Sequence, residues 1–212
     1  MFLRLQQMAA VLAVCLAGTA AAAGEVVSNF NSAGQRAFAP AFGQTLPPVG
    51  YVEFCARHPA ECQPIGGSEA KVRLTSERWQ VLGEINSFVN SKIRPAHDIE
   101  LHGVPERWSI PTDAGDCEDY VLLKKRYLEG VGFPAETLLI TVVLEEQGGG
   151  HAVLIVRTSA GDFVLDNRRN GIERWSDTGY SFLKRQSQEN PLHWVALTPG
   201  NTPDPGAIAG GN

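Results

Sequence analysis

Apolar and polar positions divide the chain into two helical periods followed by a series of strands. Over residues 76–93, Trp79, Leu82, Ile85, Phe88 and Val89 recur at helical spacing, with Thr75 or Ser76 placed to cap the start and Pro95 to stop the run. A second period begins at Cys117 and runs to about Glu129. Tyr120, Leu123, Tyr127 and Leu128 mark its inward side, Asp116 stands at the cap, and Gly130, Gly132 and Pro134 end it. Lys124, Lys125 and Arg126 read as its solvated face. Between the helices, residues 95–115 are broken by Gly103, Pro105, Pro111 and Gly115, which predicts an irregular connection. From residue 138 the pattern changes to β. Strands are expected at 138–144, 152–156, 163–166, 180–184 and 193–197, with turns at Gly148–Gly150 and Ser159–Gly161. Helices first and hairpin-linked strands second predict an α+β domain with an antiparallel sheet.

The ends differ in composition. Arg4, an apolar run from Met8 to Leu16 and small residues from Gly18 to Ala23 form the pattern of a secretory signal peptide, with Ala21-Ala22-Ala23 as a cleavage motif. An N-terminal membrane anchor is the competing reading, although the run is short for a spanning helix. Residues 24–50 read as an extended lead-in, and 198–212, rich in Gly and Pro, as a flexible tail. The intervening segment of about 150 residues is the size of one domain.

The formal charge is −5, and losing residues 1–23 removes only Arg4, making it −6. An acidic chain with scattered Lys and Arg lacks the basic footprint of a nucleic-acid binder. Beyond Cys15 lie three cysteines, Cys55, Cys62 and Cys117. An odd number in an exported chain is consistent with one bridge and one free thiol. Cys55 and Cys62 are close enough to close a small loop, or to remain two unpaired thiols. No CxxC spacing supports a structural zinc.

The free thiol is the residue with chemistry to offer. A cysteine at a helix start gains from the positive end of the helix dipole, which favours the nucleophilic thiolate. A two-residue loop at Ser159-Ala160 pairs Thr158 with Gly161, which sets His151 opposite Arg168 and leaves Asp166 on the same face within diagonal reach. A slip of two residues would put His151 directly opposite Asp166. In either register Asp166 can orient the ring of His151, and His151 can take the proton of Cys117. The N–H of Cys117 is a natural oxyanion donor, and the indole of Trp108 is a candidate for a second one, or else a packing residue. Asp98 and Asp162 are rival orienters. Arg157 and Lys184 are candidates for contacting an acidic substrate group or, equally, solvated strand positions. His58, His97, His102 and His193 read as surface or loop residues.

Gly115-Asp116-Cys117-Glu118-Asp119-Tyr120, Gly150-His151-Ala152-Val153 and Gly161-Asp162-Phe163-Val164-Leu165-Asp166-Asn167 together resemble the bacterial transglutaminase-like cysteine peptidases, a group that includes LapG-type periplasmic proteases. The likeness extends over Tyr51–Leu197. It implies a papain-like/transglutaminase-like core with the nucleophile heading a helix on an antiparallel sheet, and a Cys117, His151, Asp166 triad. It also implies calcium, with Asp116 and Glu118 at the ligand positions; without a metal, the same two acids would serve as a cap and a dipole partner. A protein substrate such as a surface adhesin, an inner-membrane regulatory receptor and a periplasmic or secreted location follow from the same resemblance. Transglutaminase or amidase chemistry and a non-catalytic binding module are the alternatives.

Overall fold

A computed structural model describes residues 37–64 and 70–200. The expected signal peptide lies outside the described residues, as do the first part of the lead-in and the tail from 201 on. Helix α1 spans Val49–Arg57, α2 Ser76–Lys92, α3 Asp98–His102 and α4 Cys117–Gly130. Seven strands form the main sheet: β1 Gln44–Thr45, β4 Leu138–Leu144, β5 Gly150–Thr158, β6 Gly161–Leu165, β7 Glu173–Arg174, β8 Ser181–Gln186 and β9 Trp194–Ala196. Their order is β1-β9-β8-β4-β5-β6-β7, and all neighbours are antiparallel. The lead-in is therefore partly structural, because Gln44–Thr45 pairs with β9 and covers one edge of the sheet.

The centre of the sheet is apolar on both faces. β4 and β5 are buried along nearly their whole length, which accounts for their continuous rather than alternating apolar sequence. One face packs with α1, α2 and α4 around Tyr51, Phe54, Leu82, Trp108, Val121, Leu154 and Trp194. The other gathers Leu139, Val143, Val153, Ile155, Val164 and Phe182. A disulfide between Cys55 and Cys62 closes the turn after α1, so Cys117 is the free thiol among the described residues.

Helix α2 is capped as its sequence predicts, the Thr75 hydroxyl accepting from the N–H of Arg78. Its buried face differs from the apolar stripe: Trp79 and Phe88 are exposed, whereas Asn86 is fully buried. The amides of Asn86 and Asn90 both reach the loop after β6, where Asn90 donates to the Asp166 carbonyl at 2.9 Å. The polar residues of α2 thus hold the site loop, and its aromatic residues rest on the rim against Phe163 and Tyr127.

Helix α4 departs further from expectation. Lys124 and Lys125 are buried; of the basic trio only Arg126 is exposed, where it pairs with Glu61. The helix is wrapped by β5, α2 and the connection leading into it, so it has almost no wet face. Lys125 is fully satisfied by the carbonyls of Ala135 and Leu138 and by Glu129. The Lys124 ammonium has no hydrogen-bond partner among the described residues. Burial drives its pKa down to about 7, offset only in part by the charge of Asp166.

A lysine with a lower pKa folded than unfolded makes folding release protons. The penalty is complete below about pH 7 and fades as pH climbs toward the ordinary lysine value of about 10.4. Replacing Lys124→Met should therefore raise the melting temperature at pH 6, and the advantage should narrow by pH 10. Thermal melts across that range test this, and a gap independent of pH would contradict it.

Candidate active site

The connection between α2 and α4 brings the acidic groups together. β2 (Arg94–Pro95) and β3 (Ala114–Gly115) pair in parallel, Pro95 beside Gly115, and the Ala96 N–H donates to the Gly115 carbonyl. This segment was expected to be irregular; the short pairing and α3 give it structure. Asp98, at the start of α3, is thereby set next to Asp116. Ligand oxygens of Asp98, Asp116 and Glu118 lie within 4.8 Å of one another. Asp98 Oδ1, Asp116 Oδ1 and Glu118 Oε1 are buried and have no hydrogen-bond partner among the described residues. Asp116 does not cap α4 with its side chain, because its carboxyl belongs to this cluster. Burial raises the pKa of all three. Asp116 rises to about 6, and neighbouring carboxylates add to the rise at Glu118.

Cys117 opens α4 next to these acids. Its thiol is buried and donates to Glu118 Oε2 at 3.2 Å. Burial first, and then the charges of Glu118 and Asp116, push its pKa well above the ordinary range, although the Ala152 backbone acts the other way. The expectation that the helix start favours the thiolate is thus overridden. The half-charge of the helix dipole is outweighed by burial of the sulfur, to which the neighbouring acids add.

His151 and Asp166 meet through the hairpin. β5 and β6 pair Thr158 with Gly161 and Leu154 with Leu165, the register set by the two-residue loop. The sheet pairing ends there, and Asp166 turns to accept from His151 Nε2 at 2.9 Å. The Arg168 N–H donates to the same oxygen at 3.0 Å, and the Tyr180 hydroxyl donates to Oδ2 at 2.7 Å. Although burial opposes it, these donors and the His151 charge hold the Asp166 pKa down to about 2. His151 Nδ1 is left free of Asp166 and lies 3.9 Å from Glu145 Oε1.

Cys117, His151 and Asp116 line one open cleft of about 450 Å³, together with His97, Glu145 and Arg168. Its walls are latched where Glu145 pairs with Arg168, and Glu146 with Arg169 at 3.1 Å. The cleft can therefore present a thiol and an oriented imidazole to an extended chain.

Other candidates lie elsewhere. Trp108 is fully buried in the core and its indole N–H donates to Glu106 Oε1 at 2.6 Å, so it is not available to an oxyanion. Asp162 accepts from the Ala39 N–H and faces Arg157, so it orients a chain segment rather than an imidazole. Lys184 is buried and donates to the Leu46 carbonyl. Neither Arg157 nor Lys184 lines the cleft. His58, His102 and His193 are exposed away from it, and exposed His97 sits on its rim. Sequence reasoning missed Asp98 as a cluster member, and also Glu145, Arg168 and Tyr180. Asp98 was expected only as a rival orienter, on a connection expected to be irregular, so nothing in the spacing set it beside Asp116.

A family model described as bacterial transglutaminase-like cysteine proteinase matches residues 41–202. No curated protein matches the chain. Among solved structures, calcium-bound Legionella pneumophila LapG is 24% identical, with a TM-score of 0.49, and the match covers 64% of this chain and 78% of that one. EGTA-treated Legionella pneumophila LapG is 25% identical with a TM-score of 0.49, covering 61% and 72% respectively.

The approach to Cys117 depends on a missing side chain. A Cβ at Gly115 would sit 2.6 Å from Asp119 Oδ2, whose partner oxygen is held by the Ser109 N–H at 2.7 Å. Gly115→Ala should cost about 1–3 kcal/mol, the range for overpacking, and lower activity. Urea unfolding of the variant checks this, and unchanged stability would refute the close approach.

Proposed function

The chain belongs to the bacterial transglutaminase-like cysteine proteinase family, and from that premise we propose that it is an exported endopeptidase acting through Cys117, His151 and Asp166. It is a cysteine peptidase, so its substrate is a protein. The observation that carries the residue assignment is the shared cleft, in which the free thiol stands with an imidazole whose Nε2 is engaged by a buried carboxylate.

Cys117 Sγ attacks the scissile carbonyl carbon while His151 Nδ1 takes the thiol proton. The oxyanion forms beside the α4 start, where the first N–H groups lack intrahelical acceptors. The C–N bond then breaks, the imidazolium protonates the leaving amine, and a thioester remains on Cys117. Water attacks that thioester as His151 accepts its proton, releasing the acid product and the thiol. Asp166 fixes the ring so that Nδ1 is the basic nitrogen throughout. In the resting arrangement the thiol proton points at Glu118, so reaching His151 requires the thiol to turn.

The acid cluster suits a hard cation, since two buried carboxylates and one half-buried one each offer an oxygen with no hydrogen-bond partner among the described residues. We assign calcium to Asp98, Asp116 and Glu118. Its charge would offset theirs and so ease ionisation of the neighbouring thiol. Export is supported by the N-terminal pattern and by the Cys55–Cys62 bridge, which belongs in an oxidising compartment. A cell-envelope or surface protein is the substrate class that follows, with an adhesin and an inner-membrane receptor as the partners the resemblance implies.

Cys117→Ala should abolish cleavage of extracted envelope proteins, read by mass spectrometry beside the wild type. Residual cleavage by that variant would remove the mechanism. An added amine that appears on the new carboxyl ends would instead identify acyl transfer.

Chelation of calcium should suppress activity reversibly, and Asp98→Asn with Asp116→Asn should reproduce the loss without chelator. Full activity in EGTA, with no calcium uptake by calorimetry, would dismiss the ion.

A further inference from the structure

Asp166 is clamped on both oxygens, and the two clamps differ in kind. Oδ1 takes His151 Nε2 and the Arg168 N–H, both from groups in or adjoining the hairpin. Oδ2 takes a single donor, the hydroxyl of Tyr180, from the far side of the sheet connection just before β8. The Tyr180 ring also stands edge-on to the His151 ring, with centroids 5.7 Å apart and planes at 74°. One side chain therefore touches both members of the proposed acid–base pair.

The tyrosine is itself held from several directions. Gly179 adopts φ +79°, a left-handed turn residue that reverses the chain ahead of it. The Tyr180 N–H donates to the Thr178 hydroxyl at 3.2 Å, and that hydroxyl donates to the Trp175 carbonyl at 3.1 Å. The Arg169 guanidinium lies over the Tyr180 ring at 5.1 Å and is tied to Glu146, Glu173 and the Thr178 carbonyl. Half-buried Tyr180 is thus a fixed post rather than a mobile surface residue.

We propose that Tyr180 is a positioning residue for the peptidase reaction, fixing the rotation of the Asp166 carboxylate and, through it, the ring of His151. This deepens the proposed function and rests on its assignment of His151 and Asp166. Without the hydroxyl, Oδ2 would be a buried carboxylate oxygen lacking a partner among the described residues, free to rotate toward other donors and take Oδ1 off the imidazole. The Tyr180 hydroxyl touches no reacting atom, so its effect falls on turnover rather than on substrate binding.

The experiment compares Tyr180→Phe, which keeps the ring, with Tyr180→Ala, which removes both contacts. Tyr180→Phe should lower kcat about tenfold with KM within about twofold, and Tyr180→Ala should add little further loss. The His151 Nε2–H proton resonance, recorded by NMR without substrate, should shift or broaden in Tyr180→Phe. Wild-type kcat and an unshifted resonance in Tyr180→Phe, with loss confined to Tyr180→Ala, would reduce the residue to packing and overturn the proposal. Cys117→Ala is run alongside. If wild type and Cys117→Ala cleave alike while Tyr180→Phe still displaces the resonance, the peptidase assignment fails and the clamp on Asp166 stands.

Discussion

The start of α4 places a thiol and several carboxylates in one nearly dry corner, and the cost of like charge there governs the rest of the site. Asp98, Asp116 and Glu118 cannot all ionise at close range without counter-charge. Nor can Cys117 release its proton easily beside them. Burial of the sulfur, with the neighbouring acids adding to it, outweighs the helix dipole that would otherwise favour the thiolate.

The opposite wall shows the reverse electrostatics. Asp166 is as buried as the cluster acids, yet it is held ionised because each oxygen has a donor aimed at it. The contrast shows that burial alone does not decide a carboxylate's state; the donors aimed at it and the sign of the nearest charge decide as well. The same wall is stiffened by two adjacent ion pairs, Glu145 with Arg168 and Glu146 with Arg169, which join the β4–β5 turn to the loop after β6. Exposed pairs of this kind contribute little to stability, and their value here lies in fixing the two loops that flank His151.

Much of the scaffold was legible from local pattern. The run 138–144 forms β4 at those limits, the two-residue loop at Ser159-Ala160 sets the β5–β6 register, and Thr75 caps α2. These features depend on neighbours close in sequence, where periodicity and turn chemistry act directly. Burial around the helices was less legible. Lys124 and Lys125 look solvated by type, yet the packing of α4 on β5 and α2 buries both. Asn86 and Asn90 look like the polar face of α2, yet they hold the Asp166 loop.

By itself the sequence determined that a free cysteine opens a helix, that a histidine and an aspartate follow on a hairpin, and that β-structure comes last. Those facts are written in spacing, because a helix and a tight hairpin have fixed periods. Tertiary structure decided what surrounds that chemistry. Asp98 reaches Asp116 only through the short β2–β3 pairing, and Tyr180 reaches Asp166 only because β8 returns to the sheet beside β4. Such meetings join segments distant in the chain, whose approach follows from packing the whole core rather than from any local rule.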